Sequence, residues 1–340
     1  MKILIRTDGS EKLGSGHIFR MKALSDQFQR LKLDHAFAIR EDEFWVSNLR
    51  IEGRETHQLS HKPENKVSEL SGLISNQNVT HLVYDTRDDL NKEELKQVKL
   101  YTGVRLTVID SPEETRLVAD VNLYPPIPQL NEWDWSGFEG SEVLSGWDYV
   151  LLRKEFVVEH ENKMTHSKPK SVLLAFGSTD PFGLTEKVLT LLGENSEMLG
   201  GMKFFVVAGP QFARVDPVQE LISKLNLIAE LIISPQDISD LYRKMDMAII
   251  AFGVTAYELV ACEVPFLSVS ISDDHERSAS LFELSGLSVS IGLIKNLEKD
   301  FKSKLATFIA SYSTKTVQLN TFNTTYQISN YIKIIHAITN

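Results

Sequence analysis

The sequence predicts an α/β protein of two doubly wound domains facing a central cleft. Short apolar, β-rich runs alternate with helical patterns in both halves of the chain, several of the runs end in Asp, and a Gly-x-Gly opens the first helix. A length of 340 residues, at roughly 150 per domain, corresponds to about two such units.

In order, Lys2 to Thr7, His35 to Ile39, His81 to Asp85 and Arg105 to Asp110 read as strands. Ile18, Met21, Leu24, Phe28 and Leu31 recur at three- to four-residue spacing and predict the first crossover helix. Ser171 to Phe176, Lys203 to Ala208, Leu231 to Ser234, Met247 to Ala251 and Val264 to Ser270 repeat the alternation. Between the halves lie Tyr124-Pro125-Pro126-Ile127-Pro128, the aromatic Trp133-Asp134-Trp135 and a polar run ending Lys168-Pro169-Lys170. These features give domains at 1–156 and 171–318, a linker at 157–170, and a carboxyl-terminal docking helix within 319–340. That helix should bury Ile328, Tyr331, Ile332, Ile335 and Ile338.

With 42% hydrophobic and 24% charged residues, the chain is neither disordered, collagenous nor a coiled coil. Thirty-six Lys and Arg against forty-six Asp and Glu leave a net charge of -10, which repels a phosphate backbone and argues against a nucleic-acid partner. The lone Cys262 cannot form an internal disulfide, so the cytoplasm is the expected compartment. No apolar run reaches the ~20 residues of a membrane span, which leaves only peripheral membrane contact open.

Three constellations can carry chemistry. In the first, a strand ending at Asp8 leads through Gly14-Ser15-Gly16 to His17, which opens a helix with Arg20 one turn on. Glycines permit close approach, and the helix end offers N–H donors and partial positive charge, which favours a neutral imidazole able to accept a proton. Equally, His17 could simply cap a tight turn. In the second, Gly177-Ser178-Thr179-Asp180-Pro181 follows a strand, with Pro181 suited to the first helical position, and can cradle a phosphate unless Asp180 is only an N-cap. In the third, Gly253-Val254-Thr255-Ala256-Tyr257-Glu258 follows a strand, with Thr255 starting a helix. Its amides suit a pyrophosphate and Glu258 suits two ribose hydroxyls, although Glu258 is also placed as a capping-box partner of Thr255.

Ser272 to Ala279 reads as a polar loop whose Asp274 and His275 can contact a sugar. Asp273-Asp274 lacks a third ligand at metal spacing, and His57 and His61 lack the Glu of a zincin helix, so no metal or other cofactor is called for. Neither a Gly-x-Ser-x-Gly elbow nor a Walker A motif occurs, and Phe19 stands where a dinucleotide fingerprint needs its last glycine.

Arg6-Thr7-Asp8, Leu13-Gly14-Ser15-Gly16-His17-Ile18-Phe19-Arg20 and Ala23-Leu24 resemble the amino terminus of the PseG/SpsG-like family. That family comprises the nucleotide-sugar hydrolases of pseudaminic acid biosynthesis and the spore-coat polysaccharide proteins. Phe176 to Asp180, Thr255 to Leu259 and Val264-Pro265 are similar to that family and to the MurG-type glycosyltransferases of lipid II synthesis. The resemblance runs nearly end to end. It implies a GT-B architecture of two Rossmann-like domains, with the nucleotide diphosphate held mainly by the second.

It further implies attack of water on the anomeric carbon of a UDP-linked diacetamido-trideoxyhexose, with His17 at the position of the family's catalytic histidine. Asp8, Gly14, Gly16, Arg20, Asp85, Asp274 and His275 then fall on the sugar. Gly177, Ser178, Thr179, Gly253, Val254, Thr255 and Glu258 fall on the nucleotide. Two departures from the pattern concern substrate choice: Asp85-Thr86-Arg87 replaces Asp-His-Tyr, and Asp274-His275 replaces a residue pair ending in Gln. Arg6, Arg20 and Arg87 are available to counter substrate charge. A glycosyltransferase with an acceptor stacked on Trp133 to Trp147, and a catalytically silent nucleotide-sugar binder, are the alternatives.

Overall fold

A computed structural model describes residues 1–10, 14–40, 42–140, 142–157, 169–235, 237–313 and 328–339. The chain divides into two compact units, Met1–Arg153 with Tyr326–Asn340, and Lys154–Thr325.

The first unit contains β1 (Lys2–Thr7), α1 (Gly16–Arg30), β2 (Asp34–Ile39), α2 (Glu43–Ile51), β3 (Thr56–Gln58), α3 (Lys66–Asn76), β4 (His81–Asp85), α4 (Lys92–Thr102), β5 (Arg105–Ile109), β6 (Val121–Tyr124) and β7 (Glu142–Ser145). The seven strands form one parallel sheet in the order 3-2-1-4-5-6-7. Central strands of a parallel sheet are covered on both faces, which is why β1, β2 and β4 read as almost unbroken apolar runs. Leu4, Ala36, Ala38, Leu82 and Tyr84 share one core with Leu70 and Ile74 of α3 and Leu95 and Val98 of α4. Alternate residues such as Ile3, Ile5 and Phe37 point to the opposite face. Ile18, Met21, Leu24 and Phe28 of α1 are buried, whereas Leu31, expected on that stripe, terminates the helix and is 45% exposed.

The second unit contains β8 (Ser171–Ala175), α5 (Leu184–Glu194), β9 (Lys203–Ala208), α6 (Val215–Leu225), β10 (Ala229–Ile233), α7 (Ile238–Arg243), β11 (Met247–Ala251), α8 (Val254–Ala261), β12 (Phe266–Ser270), α9 (Asp273–Leu284), β13 (Ser288–Leu293) and α10 (Leu297–Ser313). Its strands are again all parallel, in the order 10-9-8-11-12-13. One core joins Val172, Leu174, Phe204 and Ile249 to α5 and α10. Phe282 of α9 packs edge-on against Phe252 at 5.2 Å and Tyr257 at 5.1 Å.

The chain ends in α11 (Ile328–Thr339), which packs on the first unit against β4 and β6. Tyr331, Ile335 and Ile338 are buried as the periodicity requires, and the Tyr331 hydroxyl donates to the Leu152 carbonyl. Ile332 is instead 57% exposed and Ile334 takes the buried position, because a helical turn of 3.6 residues carries the stripe past residue 332.

The segment from Tyr124 to Trp147 lies in the first unit, as its place within 1–156 required, and runs from the end of β6 through β7. Arg116 explains its tryptophans: the guanidinium lies over the Trp133 and Trp135 rings at 5.3 and 5.4 Å. The polar stretch 272–279 is no loop but the start of α9, because Ser272 caps it through the His275 amide and Asp273, Asp274 and Glu276 complement the helix dipole. Most of the expected linker, at 158–168, and residues 319–327 lie outside the described residues. Among the described residues no helix is long and apolar enough to cross a membrane.

Phe282 is 1% exposed amid three aromatic neighbours. Phe282→Ala is expected to destabilise the second unit by about 3–5 kcal/mol, the range for a buried aromatic cavity. Urea unfolding measures it, and a loss below about 1 kcal/mol contradicts the packing described.

Candidate functional site

In an open parallel sheet, ligands bind outside the carboxyl ends of the strands where the strand order reverses. In the first unit that point lies between β1 and β4. β1 leads through the glycine turn to α1, and β4 delivers Asp85, the register partner of Thr7. Gly14 has φ +73, a conformation glycine adopts without strain, and its amide and carbonyl pair with Ser10 to close the turn. Gly16 opens α1. The N-cap Ser15 makes no side-chain capping bond and the first turn holds no acid, whereas α2, α3 and α4 are capped by Asp42, Asn65 and Asn91.

His17 therefore stands in the first turn of α1, with Nδ1 2.7 Å from Asp85 Oδ1. Asp85 has no exposed side-chain surface, whereas His17 keeps 18%, so the imidazole is the member of the pair that solvent or ligand can reach. Arg20 holds the same carboxylate bidentately, Nε to Oδ2 at 2.7 Å and Nη2 to Oδ1 at 2.5 Å. Its Nη1 donates to Asp110 Oδ2 at 2.7 Å. Arg87 donates from Nη2 to the Asp110 carbonyl and from Nη1 to the Thr86 carbonyl. The structure thus brings His17, Arg20 and Asp85 together and adds Asp110, whose place at the end of a strand that stops in Asp was the only signal for it.

Burial works against the Asp85 carboxylate, but Arg20 and His17 outweigh it and hold the group well below the usual carboxylate range. Burial lowers His17 below the ordinary imidazole value; Asp85 pulls it upward, and Arg20 and Arg87 push it down. The lowered value favours the neutral ring at pH 7. A carboxylate at Nδ1 assigns the proton there, leaving the Nε2 lone pair as the acceptor.

Two residues expected on the substrate side face inward instead. Asp8 accepts from Arg6 Nη2 at 2.5 Å and from the Arg40 amide at 2.7 Å. Arg6 is fully buried between Asp8 and Asp89, so its charge is already neutralised.

The reversal in the second unit falls between β8 and β11. Gly177, at φ +90, turns the chain out of β8, and Ser178 packs on Gly209, whose amide donates to the Ser178 carbonyl. Thr179 is buried. Pro181 does not start the helix. Asp180 adopts φ +46 and its carboxylate accepts from the Leu184 and Thr185 amides at 2.8 Å each, so it satisfies the start of α5 from four residues upstream. At the end of β11, Gly253 rather than Thr255 is the N-cap of α8 and brings no side chain; the first turn is free of acids, and a Cβ on Gly253 would meet nothing within 4 Å. Val254 and Thr255 are the first helical residues and Glu258 is buried one turn on. With Gly253 as N-cap, Glu258 is not the capping-box partner of Thr255. Asp274 and His275 begin α9, where the His275 ring lies 6.1 Å from Phe252, the residue before Gly253. Among the described residues no three His, Cys, Asp or Glu side chains are grouped to hold a metal ion.

No protein-family model matches the chain. Over 281 residues it is 26% identical to the uncharacterised protein MJ1062 of Methanocaldococcus jannaschii, a match covering 78% of this chain but about half, 54%, of that protein. It is 23% identical over 305 residues to the spore coat polysaccharide biosynthesis protein SpsG of Bacillus subtilis, covering 86% and 84%. It is 24% identical over 301 residues to the UDP-2,4-diacetamido-2,4,6-trideoxy-beta-L-altropyranose hydrolase of Campylobacter jejuni, covering 85% and 98%. Among solved structures it is similar to MurG of Acinetobacter baumannii, with TM-score 0.62 and 14% identity over 99% of both chains. It is also similar to the spinosyn rhamnosyltransferase SpnG complexed with thymidine diphosphate, with TM-score 0.67 and 12% identity over the whole of both. The fold is that of the GT-B glycosyltransferases.

His17, His35 and His81 all lie below the ordinary imidazole value of 6.5, burial being the largest cause for each. Below that pH the unfolded chain binds more protons than the folded one, so stability is complete above about 6.5 and declines as pH falls through the folded values. The urea midpoint is expected to drop between pH 7 and 5, above the range where the lowered carboxyls titrate. His17→Gln should make the drop shallower; an identical slope in the variant contradicts a depressed His17.

Proposed function

We propose that the chain is a nucleotide-sugar hydrolase that releases UDP from a UDP-linked, diacetamido-trideoxyhexose-like sugar, in surface polysaccharide or nonulosonic acid biosynthesis in the cytoplasm. The observation that carries this reading is the His17–Asp85 pair at the strand reversal of the first sheet. The Campylobacter relative, whose name states such a hydrolysis, supports the substrate class.

Water attacks C1 while His17 Nε2 takes its proton. The C1–O bond to the β-phosphate breaks and its electron pair leaves with UDP, inverting the anomeric centre. Asp85 orients the ring and compensates the imidazolium that forms, without itself taking the proton. In the second unit the uncapped start of α8 at Gly253, Val254 and Thr255 suits the diphosphate, and Glu258 suits the ribose. Gly177, Ser178 and Thr179 are assigned to the same diphosphate through their backbone, since Asp180 already occupies the start of α5. Gly14 and Gly16 leave room for the sugar beside His17, and Asp274 and His275 remain assigned to it.

No observation favours a transferase over a hydrolase. Of the tryptophans that would stack an acceptor sugar, Trp133 and Trp135 are committed to Arg116, and fold alone does not choose between the two.

Purified protein is expected to release UDP and free sugar from a UDP-sugar without any acceptor, followed by NMR. His17→Ala should lower kcat by ~100-fold or more with the fold intact, as for loss of a general base. Near-normal turnover in that variant contradicts the mechanism. Glu258→Gln should weaken UDP binding about tenfold, the equivalent of one charge-assisted hydrogen bond; calorimetry reads it, and unchanged affinity removes Glu258 from the ribose.

A further inference from the structure

At the carboxyl end of the first sheet, Arg87 differs from Arg6, Arg20 and Arg40. Arg6 is paired with Asp8 and Asp89, Arg20 with Asp85 and Asp110, and Arg40 with Asp89 and Glu69. Arg87 is half-buried and held by two backbone carbonyls, those of Thr86 and Asp110. Carbonyls orient a guanidinium but carry no full charge. Among the described residues no carboxylate lies within ion-pair distance of it. Two of its five N–H donors are used, which leaves three for a ligand.

Contiguous contacts tie this charge to the base. Asp110 takes Arg87 on its carbonyl and Arg20 on its carboxylate, and Arg20 shares Asp85 with His17. When His17 accepts a proton, the new imidazolium has two guanidinium groups nearby. Asp85 and Asp110 together balance Arg20 and Arg87, although neither carboxylate pairs with Arg87 directly, so the imidazolium is an added positive charge. C1 also gains positive charge as its bond to the leaving group breaks, so positive charge grows at the imidazole and at C1 together. An anion brought by the substrate offsets that growth.

We infer that Arg87 is a substrate-binding residue that receives an anionic oxygen pair of the nucleotide sugar, presented by a carboxylate on the sugar or by a phosphate of the diphosphate. A planar guanidinium matches either bidentately. This rests on the nucleotide-sugar reading above: a phosphate partner keeps the trideoxyhexose named there, and a sugar carboxylate replaces it with a uronate.

The test is calorimetric binding of three probes, UDP, UDP-N-acetylglucosamine and UDP-N-acetylglucosaminuronic acid, to the full chain and to Arg87→Gln. If a sugar carboxylate is the partner, the variant weakens the uronate about tenfold and leaves the other two within twofold; if a phosphate is the partner, it weakens all three about tenfold. The size follows from a charge-assisted hydrogen bond. Equal affinities in wild type and variant for every probe that binds overturn the inference and leave the nucleotide-sugar reading standing. Failure of all three to bind the wild type overturns both. Should Arg87→Gln lose its thermal transition, Arg87→Lys carries the same comparison, because it keeps the charge and loses the fork, with a smaller loss expected in the same arm.

Discussion

The Asp85 carboxylate is the constraint around which the first unit is arranged. A fully buried charge costs several kcal/mol unless it is paired and hydrogen-bonded, and Asp85 meets both conditions through the Arg20 fork and His17. Those partners come from the first turns of α1, so the pairing holds only if α1 starts immediately beyond β1 and β1 lies beside β4. The glycine turn at Gly14 and the parallel register of Thr7 with Asp85 supply that placement. Fold and chemistry therefore share one interaction: the contact that neutralises a buried carboxylate also fixes which imidazole nitrogen is free.

Charge is handled differently in the two units. The first concentrates Arg6, Arg20, Arg40 and their carboxylates at one end of its sheet, nearly all matched in pairs. Such a lattice adds little net stability over apolar packing, but removing one member leaves its partner buried and uncompensated. The second unit presents at its strand reversal a helix start with no capping side chain and no acid in its first turn. A pre-oriented acid–base group suits bond breaking, and a neutral array of amides suits an anion that must later depart.

Much of the fold was legible because parallel strands covered on both faces leave an apolar signature. Lys2–Thr7, Lys203–Ala208 and Met247–Ala251 were readable to the residue. β3, with three residues, and β7, exposed along most of its length, bury too little to leave such a signature. In β13 serines alternate with apolar residues, and β6 was hidden by the prolines that follow it. The start of α9 looked like a loop because its signal is electrostatic, a serine cap and three acids, rather than periodic. Of the site, His17 and its helix were visible as a motif. The meeting of His17, Arg20, Asp85 and Asp110 was not, since it spans 93 residues from His17 to Asp110 and depends on strand order, which local patterns do not encode. The inward turn of Asp8 was hidden for the same reason.

The most direct measurement of the central claim is the nitrogen spectrum of the His17 side chain in the free protein at pH 7, assigned by comparison with His17→Gln. The account predicts a neutral ring with the proton on Nδ1 and an unprotonated Nε2, a pattern that Asp85→Asn should disturb. A proton on Nε2, or an imidazolium at neutral pH, would leave no lone pair facing the reaction and would contradict the account.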